Sequence, residues 1–342
     1  MKTTLNRILI LTVTALSAMA TQVVAETGLQ FVTFAGGSRA TILNADYILE
    51  NYVSRSGARA YLELPGMPPV ELLLPSSEGG SGPEDRYYPH SSEAVLEALN
   101  TVSYPRPVED IEVLLLPFPR MTLPVSSALG RHIFMSPAPV PTPFDVSALI
   151  VTHELGHLFQ YERMPDSRVE LWNEYRQLRG ITDTNIYHEN AAHADKPHEI
   201  FAEDFRFLFG GDRANYSGSI ENHDLVNPDQ VDGLAEFMLE LETIDASDSS
   251  LRASCFPNPF NPRTEIRVDA DASLIGRQTS VQVFDAQGRR VRDIYKGSLY
   301  THTLRFEFDG RDDAGRSLPS GVYFSSVRIG ETRQTTKMIL LQ

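Results

Sequence analysis

The apolar positions of this 342-residue chain change their period along its length. Residues 111–118 (IEVLLLPF) make a continuous apolar run of buried-strand length, and 131–136 (RHIFMS) make a second. Across 146–159 apolar side chains fall on nearly every helical face, the pattern of a helix in the middle of a domain. Thr142 is placed to cap that helix, Pro143 to take its first position and Asp145 its first turn. A second helix is predicted from the capping-box spacing Ser167-x-x-Glu170 to Gly180, a third from Pro197 to Gly210-Gly211, and a fourth from Asn227-Pro228 to about Leu241. After residue 252 the period shortens to alternating segments between turn residues. One strand, 281–285, enters a hairpin at Ala286-Gln287-Gly288, and 321–328 is another. The pattern predicts an α+β domain followed by an all-β sandwich.

Charge and small polar residues place the boundaries. Residues 244–251 (IDASDSSL) read as a linker, and 76–83 (SSEGGSGP) as a surface loop. Residues 26–251 hold 14 basic against 35 acidic residues, a net of −21, whereas 252–342 hold 14 against 10, a net of +4. A sign change this abrupt marks a domain boundary. The expected organisation is 1–25, 26–243, a 244–252 linker and 253–342. So acidic a first domain argues against a nucleic-acid partner, whose phosphates need Lys and Arg. At 42% hydrophobic and 22% charged the composition is globular. No apolar run of membrane-span length follows the first thirty residues, which excludes a polytopic membrane protein. At the start, Lys2 and Arg7 precede the apolar stretch 8–20, and small-residue sites follow at Ala18-Met19-Ala20 and Val23-Val24-Ala25. That is a secretory signal peptide and predicts export. Cys255 is the single cysteine, so no intrachain disulfide forms, and core packing must hold the exported fold, with a metal as an optional further support.

The chemistry lies in the buried helix, at His153-Glu154-Leu155-Gly156-His157. Histidines at i and i+4 share a face one turn apart, a spacing at which two imidazoles bind one Zn²⁺. Glu154 reaches a zinc-activated water without ligating and serves as general base for attack on a carbonyl. A catalytic site takes a third protein ligand. Six residues after His157, where Met-turn proteases keep a histidine, stands Arg163. The better candidate is Glu199, 42 residues past His157, with Glu174 as its rival. Phe201, Phe205 and Leu208 form an apolar stripe, while Glu199 and Glu203 share another face. One carboxylate there suits a ligand and the other a partner for an imidazole N–H.

HELGH followed by HEIFAEDF resembles the gluzincin metallopeptidases of the anthrax-lethal-factor-like group, over about residues 145–242. The resemblance implies a zincin-like fold, Zn²⁺ held by His153, His157 and Glu199, Glu154 as base, Glu203 behind a ligand, and a peptide or protein substrate. It also implies that 131–136 is the edge strand that pairs with substrate. That group keeps an oxyanion-stabilising tyrosine seven residues before the glutamate ligand; here that position is Ala192, leaving Tyr187 or His193 for the role. In the tail, FPNPFNPRTEI at 256–266, VFDAQGRRVR at 283–292, FDGRDDAG at 308–315 and SGVYF at 320–324 are similar to the flagellar-hook-cap-like immunoglobulin domain and the type IX secretion sorting domain. This implies an immunoglobulin-like attachment module, a partner in the export machinery, and association with the cell surface. The expected function is an exported zinc endopeptidase. The alternatives are a surface-attached binding protein with a structural or degenerate metal site, and a zinc amidase acting on cell-wall peptides.

Overall fold

The computed structural model describes residues 24–26, 28–65, 67–75, 86–108, 110–166, 168–242, 251–271, 274–301 and 303–341. The expected signal peptide up to residue 23, the 76–83 loop, Ser167 and linker residues 244–250 lie outside the described residues.

The first region opens with β1 (Val24–Glu26), β2 (Leu29–Thr33), β3 (Arg39–Leu43) and α1 (Ala45–Asn51), then a small antiparallel meander of β4 (Val53–Ser56), β5 (Arg59–Leu62) and β6 (Val70–Leu72). Helix α2 (Ser92–Thr101) leads into β7 (Ile111–Leu115), β8 (Ser127–Leu129) and β9 (His132–Met135). Helices α3 (Phe144–Arg163), α4 (Val169–Arg179), α5 (Pro197–Phe209) and α6 (Leu234–Glu240) complete it. Six strands make one mixed sheet in the order β1-β2-β3-β7-β9-β8, with β3, β7 and β9 parallel.

The unbroken apolar run at 111–118 has a physical cause in this sheet. Ile111, Val113 and Leu115 pack into the helical core on one face, while Leu114 and Leu116 pack with Phe134 and the meander on the other. A central strand covered on both faces has no solvent side on which to place polar residues.

Three expectations are corrected. Residues 132–135 are not the edge strand: β9 lies between β7 and β8, and β8 is the edge. The chain folds back through Gly130 (φ 62°) in a two-residue hairpin. Ser127-Ala128-Leu129 is too short and too weakly apolar to announce itself. Helix α3 begins at Phe144, with Pro143 as its cap residue and no side-chain cap from Thr142, because Pro143 is extended (ψ 150°). The fourth helix is broken into a 3₁₀ turn at Pro228–Gln230 and α6, separated by Gly233 at φ 84°. The Gly180 stop of α4 (φ 78°) and the Pro197 start of α5 agree with the pattern.

The C-terminal region is all β: β10 (Leu251–Phe256), β11 (Thr264–Ala270), β12 (Gln278–Asp285), β13 (Arg290–Ser298), β14 (Thr303–Phe308), β15 (Gly321–Ile329) and β16 (Thr332–Leu340). Two sheets, β10-β11-β14 and β13-β12-β15-β16, close over a core containing Ile266, Val268, Val281, Val283, Phe308, Val327 and Met338. Residues 251 and 252, expected in the linker, begin β10. At the 286–288 hairpin Gly288 takes φ 77°, and the Asp285 carboxylate accepts the N–H groups of Gln287 and Arg289. Among the described residues no helix is long and apolar enough to cross a membrane.

Candidate metal centre

Helices α3 and α5 cross at van der Waals contact because of one residue. A Cβ on Gly156 would stand 2.7 Å from the Ala202 carbonyl oxygen and 2.9 Å from its Cα. The glycine inside HELGH therefore brings the histidine-bearing helix against the glutamate-bearing one. On α3, Val151, Leu155, Leu158 and Phe159 are buried in the core, while His153 and His157 face a cavity of about 1140 Å³. On α5, Phe201, Phe205 and Phe209 pack inward. Glu199, in its first turn, is thereby directed at both imidazoles. Its Oε2 lies 2.9 Å from His157 Nε2 and 3.3 Å from His153 Nε2.

One ligand atom from each of His153, His157 and Glu199 lies within 4.8 Å of the others. Ligands about 2.0–2.1 Å from a tetrahedral zinc ion stand roughly 3.3 Å apart, so the donor set and its spacing fit that ion. Glu203, one turn beyond Glu199, accepts the His153 Nδ1–H at 2.8 Å, which leaves Nε2 facing the site. Arg206 grips Glu203 with two parallel bonds, Nε to Oε1 and Nη2 to Oε2, both 2.9 Å. Its other N–H groups go to the carbonyls of Ala214 and Ser219 and to Asn215 Oδ1. Against the penalty of burial, the hydrogen bonds from His153 and Arg206 hold the Glu203 carboxyl well below the usual carboxylate range. Glu199 is likewise held low against burial by the two histidines. Burial opposes charge on His153, but Glu199 and Glu203 raise it to about 10.

Glu154 lines the same cavity, 6% exposed, without a hydrogen-bond partner among the described residues. The opposite wall is the edge strand β8 and the loop before it. Buried Arg120 braces that wall by donating to the Val125 carbonyl (3.0 Å) and Ser127 Oγ (2.6 Å) over the Phe134 ring.

The other sequence candidates separate cleanly. Glu174 is exposed in a different hollow, beside Glu170 and Phe237. Tyr187 packs against the helical core and is not among the residues lining the cavity. His193 does line it, with Nε2 3.4 Å from Glu199 Oε2 and Nδ1 2.9 Å from Glu221. His198, which also lines the cavity, is half-buried between Asp166 and Glu189 and against Trp172 and is not one of the three clustered donors. Sequence reasoning missed Arg206, Glu221 and Tyr161. Tyr161, stacked on His157 with centroids 6.4 Å apart, was visible as the next i+4 position on the histidine face. The i,i+3 spacing of Glu203 and Arg206 was visible too; nothing local pointed to Glu221.

No curated protein sequence matches the chain. Among solved structures, it is similar to latent PorU from Porphyromonas gingivalis over 27% of its length and 9% of that chain, at 20% identity and a TM-score of 0.23. It is similar to PorZ, a surface component of the type IX secretion system of the same organism, over 26% of its length and 11% of that chain (18% identity, TM-score 0.19). A third similarity, to the alkylpurine DNA glycosylase AlkC of Pseudomonas fluorescens, covers 58% of this chain and 47% of that one (12% identity, TM-score 0.21). The chain thus spans less than two thirds of each, and similarities this weak carry no argument. The family-level match is confined to the tail. Residues 254–341, nearly the whole two-sheet region, match the secretion system C-terminal sorting domain, which marks the protein for export by type IX secretion to the cell surface or the extracellular space.

Proposed function

We propose that the α+β region is a zincin-like, zinc-dependent endopeptidase that the sorting domain delivers outside the cell. The observation that carries this reading is the convergence of the His153, His157 and Glu199 donors beside an uncommitted Glu154 in one cavity. A zinc ion held by the three residues would supply a Lewis acid for hydrolysing a carbonyl substrate. The chain's own residues do the rest. Glu203, kept ionised by Arg206, fixes the His153 tautomer so that Nε2 presents a lone pair. Glu154 takes the proton of the attacking water on its carboxylate and returns it to the departing amine nitrogen. The free side of β8 offers backbone groups to an extended peptide, which would lie as a further strand across the cavity. Helix α3 also excludes water from one wall, through Val146, Leu149 and Ile150.

Zinc content and peptide-library cleavage by the full-length protein test this. Glu154→Gln is expected to keep its metal and to lose about 10²–10⁴-fold in turnover, the usual contribution of a positioned acid–base group. Full activity in that variant ends the reading. Glu199→Ala is expected to lose metal where Glu174→Ala keeps it.

A further inference from the structure

The position of His193 goes beyond the three-donor site and rests on that reading. We infer that His193, oriented by Glu221, is a fourth and displaceable protein donor to the ion held by His153, His157 and Glu199. The resting site is then closed by the protein itself.

Three imidazoles approach one oxygen atom, two of them within the mutually close donor cluster and His193 outside it. Glu199 Oε2 is 2.9 Å from His157 Nε2, 3.3 Å from His153 Nε2 and 3.4 Å from His193 Nε2. The His193 and His153 rings are near parallel, 27° apart, with centroids 6.5 Å apart. The other nitrogen of His193, Nδ1, lies 2.9 Å from Glu221 Oε2. A carboxylate on Nδ1 accepts that N–H and leaves the Nε2 lone pair free, which is how proteins present imidazole to a metal. His153 and Glu203 are built the same way on the other side of the site.

The two histidine–carboxylate pairs share a frame. The Glu221 backbone N–H donates to Glu203 Oε2 at 2.8 Å. Asn222, buried beside it, donates to the Ala194 carbonyl and to Asp195 Oδ1, both at 2.9 Å, and so ties the 3₁₀ turn His193–Asp195 to the same loop. Burial separates the permanent donors from the removable one. The His153 side chain is 12% exposed, whereas His193 is 57% and Glu221 46% exposed. Lifting the His193 turn exposes little apolar surface, so a substrate carbonyl can take its place; removing His153 would open the core.

The test uses full-length protein reconstituted with Co²⁺ or Zn²⁺. His193→Ala is expected to change the cobalt ligand-field spectrum and to weaken zinc binding, measured by chelator competition, by at least about tenfold; Glu221→Gln shifts both in the same sense but less. Titrating acetohydroxamate into the cobalt protein should perturb the His193→Ala spectrum at about tenfold lower concentration than the wild type, because no side chain has to leave. Identical spectra and zinc affinities within twofold overturn the fourth donor. A wild-type spectrum that no hydroxamate concentration changes overturns its displaceability. Spectral shifts as expected with no peptide cleavage in any variant would leave the donor in place and remove the peptidase reading; cleavage with unchanged spectra would do the reverse.

Discussion

The two regions of this protein handle charge in opposite ways. The α+β region buries it: Glu203, Asp204, Arg179 and Arg206 all lie within the core, and Arg206 is among the largest fully buried side chains. All five of its N–H donors are used, two on Glu203 and three on the 214–219 loop. Asp204 is held in the same way by Arg179 and the Tyr175 hydroxyl. Among the described ion pairs of the sandwich every arginine is exposed, even where its carboxylate, as at Asp285 and Asp312, is largely covered. Glu265 and Glu307 stand opposite each other on β11 and β14 and are flanked at the surface by Arg305 and Arg263. Its core is filled by alternating Val, Ile, Leu and Phe. Burying a charge is unfavourable unless it is paired and hydrogen-bonded, and an apolar side chain of similar volume is often as stable. The fold alone therefore does not require the buried network. Its pairing with His153 links it to the donors, whereas the sandwich is a carrier built from pattern alone.

Three substitutions would break or sharpen that contrast, read by calorimetry on the full-length chain, in which each region is expected to give its own unfolding transition. Arg206→Ala has the largest expected effect, about 3–5 kcal/mol lost from the α+β transition, because Glu203 loses its guanidinium partner in the core and keeps only the hydrogen bonds from His153 and the Glu221 N–H. The sandwich transition should not move. Gly156→Ala is expected to cost about 1–3 kcal/mol by overpacking and also to weaken zinc binding, since the new methyl separates α3 from α5 at the donors. Unchanged metal affinity there would mean the close crossing does not position Glu199. Arg305→Ala, which removes an exposed cross-strand pair, should change the sandwich by less than about 1 kcal/mol. A loss there as large as that of Arg206→Ala would erase the distinction drawn between the regions.

Local pattern carried a good part of the way. The 281–285 and 321–328 strands, the Gly180 and Pro197 helix boundaries and the apolar stripe of α5 follow from period and from the conformational limits of glycine and proline. The same local logic failed at two short features that carry no readable period. β9 is interior because a three-residue strand folds back beside it, and a segment of that length has no period to read. The fourth helix breaks because Gly233 adopts a left-handed conformation that a continuous helical pattern did not suggest.

By itself the chain order determined that His153 and His157 share a helical face, that Glu199 and Glu203 share another, and that the C-terminal 88 or so residues, covered by the 254–341 match, form an all-β sorting region. These follow from spacings of one helical turn or from motifs that are local in the chain. Which glutamate joins the histidines, which strand borders the cavity, and that Glu221 stands behind His193 were decided only by tertiary structure. The two glutamate placements depend on the packing of segments 28 or more residues apart, chiefly the α3–α5 crossing allowed at Gly156, and the edge strand on a hairpin too short to show a period; neither leaves a mark on the local pattern.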